Sequence, residues 1–170
     1  MRTLIIHPED ETTDFLCAIY SNKNWTIIRD DLSQDRLEEQ IIAHERIIML
    51  GHGSYMGLFG FDDYVIDEQM VYLLKDKYCI CIWCYAAEFV EEHGLKGFYT
   101  GMFISELEEA FKEDIYPTID EIQKSNQDFA RVLNEVIDEG DILKQMKKYY
   151  NHDCSEVVKF NRDRLFCELN

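Results

Sequence analysis

Residues 46–53, Arg-Ile-Ile-Met-Leu-Gly-His-Gly, constrain the fold more than any other stretch of the chain. Four consecutive apolar residues, two of them β-branched, run directly into glycine, histidine and glycine. An unbroken apolar run of this length suits a strand covered on both faces, as in a parallel sheet held between two layers of helices. The glycines free the backbone to turn sharply at the strand's end. In open parallel sheets ligands bind outside the carboxyl ends of the strands, which is where His52 falls. The pattern recurs at Tyr78-Cys79-Ile80-Cys81-Ile82-Trp83, which runs into Cys84-Tyr85-Ala86-Ala87. If the two strands are parallel neighbours, His52 and Cys84 lie side by side on one edge.

The rest of the chain falls in around these two strands. Residues 3–7 read as a first strand stopped by Pro8, and Phe15, Leu16, Ile19 and Tyr20 mark an amphipathic helix. Residues 25–29 are a second strand and residues 35–44 a second helix, giving a βαβαβ order with right-handed crossovers. The glycine-bearing segment 53–63 is a hairpin or flap over the strand ends. A helix over 67–75, a helix over 86–92 closed by His93-Gly94, and a strand over 97–100 continue the alternation. Ser105 followed three residues on by Glu108 reads as a capping box opening a helix to about Asp114. After Pro117 a long helix spans 118–138, followed by an amphipathic helix over 142–150 that includes Tyr149 and Tyr150. Residues 157–160 and 165–167 read as edge strands, a hairpin around Asn161-Arg162-Asp163. The expected architecture is a single α/β domain over 1–170, a three-layer sandwich with a mostly parallel sheet. Its core covers about 3–115, with a helical C-terminal elaboration over about 116–170.

Acids outnumber bases 34 to 17, a net charge of −17. Such a chain repels phosphate backbones, which argues against nucleic acid as a partner. No apolar stretch approaches the ~20 residues of a membrane span, and the expected setting is soluble and cytoplasmic. Six cysteines without a regular framework fit a reducing compartment as buried thiols. Cys81-Ile82-Trp83-Cys84 is a C-x-x-C, but Cys81 sits inside an apolar strand rather than at a helix start, so Cys79 and Cys81 read as core thiols. His7, His44, His93 and His152 read as structural or surface histidines. No cofactor and no metal is implied.

A thiol becomes nucleophilic when a neighbouring base takes its proton, and His52 beside Cys84 has that capacity. At these residues the chain resembles the caspase-like cysteine peptidases, the group of caspases, metacaspases, gingipains, clostripain and separase. The resemblance rests on Ile47-Ile48-Met49-Leu50-Gly51-His52-Gly53 and on Tyr78-Cys79-Ile80-Cys81-Ile82-Trp83-Cys84. It implies His52 as general base, Cys84 as nucleophile, and the backbone amides of Gly53 and Cys84 as oxyanion hole. It also makes Glu9 and Asp10, in the loop after the first strand, readers of Lys or Arg in a peptide or protein substrate. The other function expected of the same fold is a non-catalytic module that binds a partner protein.

Overall fold

The computed structural model of the protein describes residues 1–31, 33–150 and 155–168. Strands β1 (Thr3–Ile6), β2 (Thr26–Ile28) and β3 (Arg46–Leu50) are joined by a 3-10 helix (Glu11–Ile19) and by α1 (Gln34–Ala43). Three short strands follow, β4 (Gly53–Ser54), β5 (Gly57–Phe59) and β6 (Tyr64–Ile66). A 3-10 turn (Glu68–Met70) and α2 (Val71–Leu74) then lead to β7 (Tyr78–Ile82). Helix α3 (Ala86–His93), β8 (Lys96–Thr100), α4 (Leu107–Lys112), α5 (Ile119–Val136), α6 (Ile142–Tyr149), α7 (Glu156–Asp163) and β9 (Leu165–Glu168) complete the chain. The main sheet has the order β2-β1-β3-β7-β8-β9, parallel throughout except at β9, and β4-β5-β6 form a small antiparallel sheet.

Strand alternation sorts the apolar runs into two layers. Ile5, Ile48, Ile80 and Phe98 are register partners across four strands and form one face. That face packs on Leu16 and Ile19 of the 3-10 helix, on Phe129 and Leu133 of α5, and on Met146 of α6. The other face carries Leu4, Ile47, Met49, Cys79 and Cys81, packed on Leu37 and Ile41 of α1 and Phe89 of α3. Each fully buried side chain of this size contributes about 1.5–3 kcal/mol. The result is the expected α/β three-layer sandwich with a mostly parallel sheet. Cys79 and Cys81 are core thiols, as their alternation implied; burial pushes the Cys79 thiol up to about 12 and holds Cys81 well above the ordinary thiol range. Gly97 is a forced choice: at φ +136, an added Cβ would lie 1.7 Å from the Cys79 carbonyl oxygen.

The C-terminal part differs from expectation in one element. Residues 156–163 form α7 rather than a strand. A short Val-Val-x-Phe run does not distinguish helix from strand by itself. The helix wins because Ser155 caps it through the Val158 amide at 3.3 Å. The carboxamide of Asn161 then anchors it by accepting from Ile104 N–H (2.7 Å) and donating to Ile104 C=O (2.9 Å). The edge strand expected at 165–167 is present as β9. The α4 capping box is shifted one residue from the expected Ser105–Glu108 pair: the Glu109 carboxylate accepts from the amides of Ser105 (2.7 Å) and Glu106 (3.0 Å). Tyr150 is buried as expected, whereas His152, Cys154 and the side chain of Tyr149 lie outside the described residues. No helix among the described residues is long and apolar enough to cross a membrane.

Candidate functional site

The carboxyl edge of the sheet gathers the loops after β1, β2, β3 and β7. Gly51, at φ +144, turns the chain at the end of β3 and places His52 half-buried on that edge. His52 Nε2 lies 2.6 Å from Thr12 Oγ1. The Thr12 hydroxyl donates to Asp10 Oδ1 at 2.7 Å, so its oxygen is left to accept from His52 Nε2–H. Asp10 caps the 3-10 helix by accepting from Thr12 N–H at 2.9 Å as well. These bonds from Thr12 hold the Asp10 carboxyl below its ordinary range. Glu9 is exposed beside it, its backbone N–H donating to Arg29 C=O at 3.2 Å.

Behind this row sits a second cluster. His7 is fully buried, with Nδ1 2.8 Å from the Tyr20 hydroxyl and Nε2 3.2 Å from Thr13 Oγ1. Burial, helped by the Arg29 charge, pushes His7 down to about 4, so it is neutral at pH 7. Arg29 donates to Asp14 at 2.6 Å and to Cys17 Sγ at 3.1 Å.

Cys84 reaches the same edge from β7, and it shares a cavity of about 20 Å³ with His52, Thr13 and Phe103. That volume holds about one water molecule. The Cys84 thiol donates to Phe103 C=O at 3.3 Å and lies 3.7 Å from a Glu109 carboxylate oxygen. Burial, then the negative charge of Glu109, push it up to about 12. At neutral pH it is a protonated thiol hydrogen-bonded to acceptors, while the bond of His52 runs to Thr12. Gly53 packs in β4 against Trp83, where a Cβ would lie 2.3 Å from the indole Cδ1. Its lack of a side chain therefore answers to packing. The structure thus brings His52, Cys84 and Gly53 to one edge, and joins His52 to Asp10 through Thr12.

A larger space than the one beside Cys84 lies on this edge, at residues the sequence reading did not mark. A cavity of about 250 Å³ opens between the carboxyl ends of β1 and β2 and the small sheet. Ile6, Ile28, Leu37 and Met70 supply its apolar lining, and Asp30, Asp31, Asp62, Asp63 and Asp67 supply carboxylates. Arg29 also lines it, with its guanidinium engaged by Asp14. The signal for this site was present: Asp30-Asp31 directly follow a strand and Asp62-Asp63 sit in the segment that covers the strand ends.

No family model and no curated protein matches the chain. Two solved structures resemble it. The Trp repressor binding protein from Bacillus subtilis is 11% identical, covers 78% of this chain and 96% of its own, and gives a TM-score of 0.45. An NADPH-quinone reductase from P. pentosaceus is 16% identical, covers 76% of this chain and 98% of its own, and gives 0.37. Neither is a caspase-like peptidase, and at these values neither lends this chain an activity. The caspase-like recognition and the cysteine-peptidase function are corrected accordingly, together with the inactive caspase-like interaction module. The chemistry of the site agrees with the correction, because the thiol assigned as nucleophile is held protonated by burial and by Glu109. With the peptidase goes the role of Glu9 and Asp10 as readers of a basic residue: Asp10 is occupied as a helix cap and as the anchor of Thr12.

Proposed function

We propose that this protein binds a small organic cation in the cavity between the ends of β1 and β2 and the β4–β6 sheet. The observation that carries the reading is the cavity's lining, five aspartates around an apolar floor against a single guanidinium. The terminal nitrogens of that guanidinium donate to Asp14 and to Cys17 Sγ, and its Nε has no partner among the described residues. An apolar cavity of about 150 Å³ accepts benzene, so about 250 Å³ leaves room for a small organic body. A charged head on such a body meets carboxylates, and each charge-assisted hydrogen bond contributes about 1.5–3 kcal/mol. Among the described residues no three His, Cys, Asp or Glu side chains are grouped to hold a metal ion.

The NADPH named for one structural neighbour does not suit these residues. A dinucleotide phosphate needs free backbone N–H groups at a helix start. Here the loop after β1 is Pro8-Glu9-Asp10-Glu11, and the helix it enters is already capped by the Asp10 carboxylate with Glu11 and Asp14 in its first turn. A phosphate there would face like charge.

Differential scanning fluorimetry with agmatine, putrescine and benzamidine, against NADPH and inorganic phosphate, tests the reading. At about 100 times Kd a cation stabilises the fold by about 2.7 kcal/mol, which raises Tm by roughly 5–10 °C. The double substitution Asp62→Asn/Asp63→Asn should weaken cation binding about tenfold, a change of about 1.4 kcal/mol. No shift with any cation, or a larger shift with NADPH, would overturn it.

A further inference from the structure

Resting on that reading, we infer that the ligand class is a linear oligocation, ammonium groups separated by methylene chains, rather than a compact cation. The cavity beside β1 and β2 does not stand alone. A second one, of about 340 Å³, lies between the small sheet and the end of α3. Tyr64 and Asp67 line both cavities and so form their common wall.

That wall is fixed. The Tyr64 hydroxyl and Ser54 Oγ are hydrogen-bonded at 2.8 Å, and the Tyr64 ring packs on Phe59 with centroids 4.8 Å apart. Asp67 accepts from Gln69 N–H at 2.9 Å and so cannot swing far. Beyond the wall the second cavity is lined by Tyr55, Met56, Glu68, Glu92 and His93, two carboxylates to one imidazole. Tyr55 and Met56 are 58% and 48% exposed, large apolar side chains left in solvent at the rim of a concave site. An aromatic face and a thioether suit a methylene chain that carries ammonium groups, and the carboxylates beside them suit its charge.

A compact cation fills one cavity and meets one group of acids. A linear oligocation lying across Tyr64 meets the aspartates on one side, Asp67 at the crossing, and Glu68 and Glu92 on the other. Linking the two contacts in one molecule makes the second an intramolecular event, which raises affinity without any new kind of contact.

Titration calorimetry of the intact protein with putrescine and spermine at about 0.15 M salt, where attraction between distant exposed charges is largely screened, tests this. Spermine should bind about tenfold tighter than putrescine. Glu92→Gln and, separately, Tyr55→Ala should lower the spermine-to-putrescine affinity ratio about threefold or more. Glu108→Gln, an exposed acid on α4, should leave the ratio unchanged. If putrescine binds and responds to Asp62→Asn/Asp63→Asn but spermine gains nothing over it, the oligocation inference fails and the cation reading stands. If Glu108→Gln lowers the ratio as much as Glu92→Gln, the gain is diffuse charge attraction and the inference fails again. If neither amine binds, the cation reading itself has failed.

Discussion

The two ends of the sheet handle charge in opposite ways. At the amino edge charges are spent on one another and on the backbone. Arg46, at the start of β3, donates to Thr3 Oγ1 (3.0 Å), Ile137 C=O (3.1 Å) and Asp138 (2.8 Å), and its guanidinium lies 4.8 Å from the Trp25 ring centre. Asp138 also receives Lys23 at 2.8 Å, and Lys77 donates to His44 C=O at 2.6 Å. At the carboxyl edge the 250 Å³ cavity collects five aspartates and one guanidinium. Asp63 and Asp67 each accept one backbone N–H. The guanidinium donates to Asp14 and Cys17, and its Nε has no partner among the described residues, while Asp30, Asp31 and Asp62 are left to the cavity and solvent. Charge that is internally satisfied holds strands together. Charge that is left facing a cavity is available to something from outside. Stability is thus seated at the amino edge and the proposed recognition at the carboxyl edge, and each can be broken separately.

The largest effect is expected at the amino edge. The Arg46 side chain is 5% exposed and that of Asp138 is 54% exposed, so Asp138 can turn to water when its partner is lost while the carbonyl of Ile137 cannot. Arg46→Met removes three donated hydrogen bonds from a buried position and should cost about 2–4 kcal/mol. Urea denaturation should register this as a lower midpoint with an unchanged slope. Cation affinity at the far edge should stay as it was. A loss of affinity in a variant that remains folded would mean the two edges are not separable.

Next comes a pH effect seated at the carboxyl edge. His7 ionises near 6.5 in an unfolded chain but only at about 4 when folded. The unfolded state therefore binds more protons between those values, so stability rises with pH across that window. It is fully present above about pH 6.5 and is lost as the pH falls towards 4, by up to about 3 kcal/mol. Other carboxylates titrate below about pH 5, so the comparison to make is with His7→Gln. The wild-type protein should lose stability more steeply between pH 6.5 and 4.5 than the variant. Parallel curves would remove His7 as the cause. A smaller effect separates recognition from folding: Asp62→Asn/Asp63→Asn, which weakens the cation, should change stability by under about 0.5 kcal/mol because these acids are exposed.

How much of this was legible in the sequence follows from the same contrast. The unbroken apolar runs at 47–50 and 79–82 forced a sheet covered on both sides, and the glycine after Leu50 forced the turn that exposes His52. Even the alternation of Cys79 and Cys81 gave their place in the core. Where two local preferences were balanced, as in Val157-Val158-Lys159-Phe160, distant contacts decided, and Asn161 reaching Ile104 selected helix. The site was harder because a thiol's reactivity is set by neighbours far along the chain. Cys84 looks like a nucleophile beside His52, yet Phe103 and Glu109 hold its proton, and neither position is marked in the motif. Thr12, which links Asp10 to His52, was likewise invisible, because its role exists only once the loops after β1 and β3 meet. The acids of the cavity come from three separate segments, and only the fold brings them together.

The last predicted effect concerns Asp10, an acid on the carboxyl edge whose charge is spent internally. Its carboxylate caps the 3-10 helix and holds Thr12, whose oxygen in turn takes the Nε2–H of His52. Replacing a capping Asp by Ala costs about 1 kcal/mol, whereas Asn caps nearly as well as Asp. Asp10→Ala should therefore lower stability by about that amount and Asp10→Asn by only a few tenths of a kcal/mol. Since folding depresses the Asp10 carboxyl, its ionic contribution is present above about pH 4 and is lost as the pH falls through the folded value. The second readout is the imidazole. In Asp10→Ala the Thr12 hydroxyl loses the acceptor that orients it, so the His52 Nε2 proton should exchange with water faster by NMR, and it should do so in Thr12→Val as well. In Asp10→Asn the side-chain oxygen can still accept from Thr12, so the proton should keep most of its protection. Equal exchange in all three variants and the wild type would mean that His52 is not held through Thr12, and the row from Asp10 to His52 would then be three side chains in contact rather than a relay.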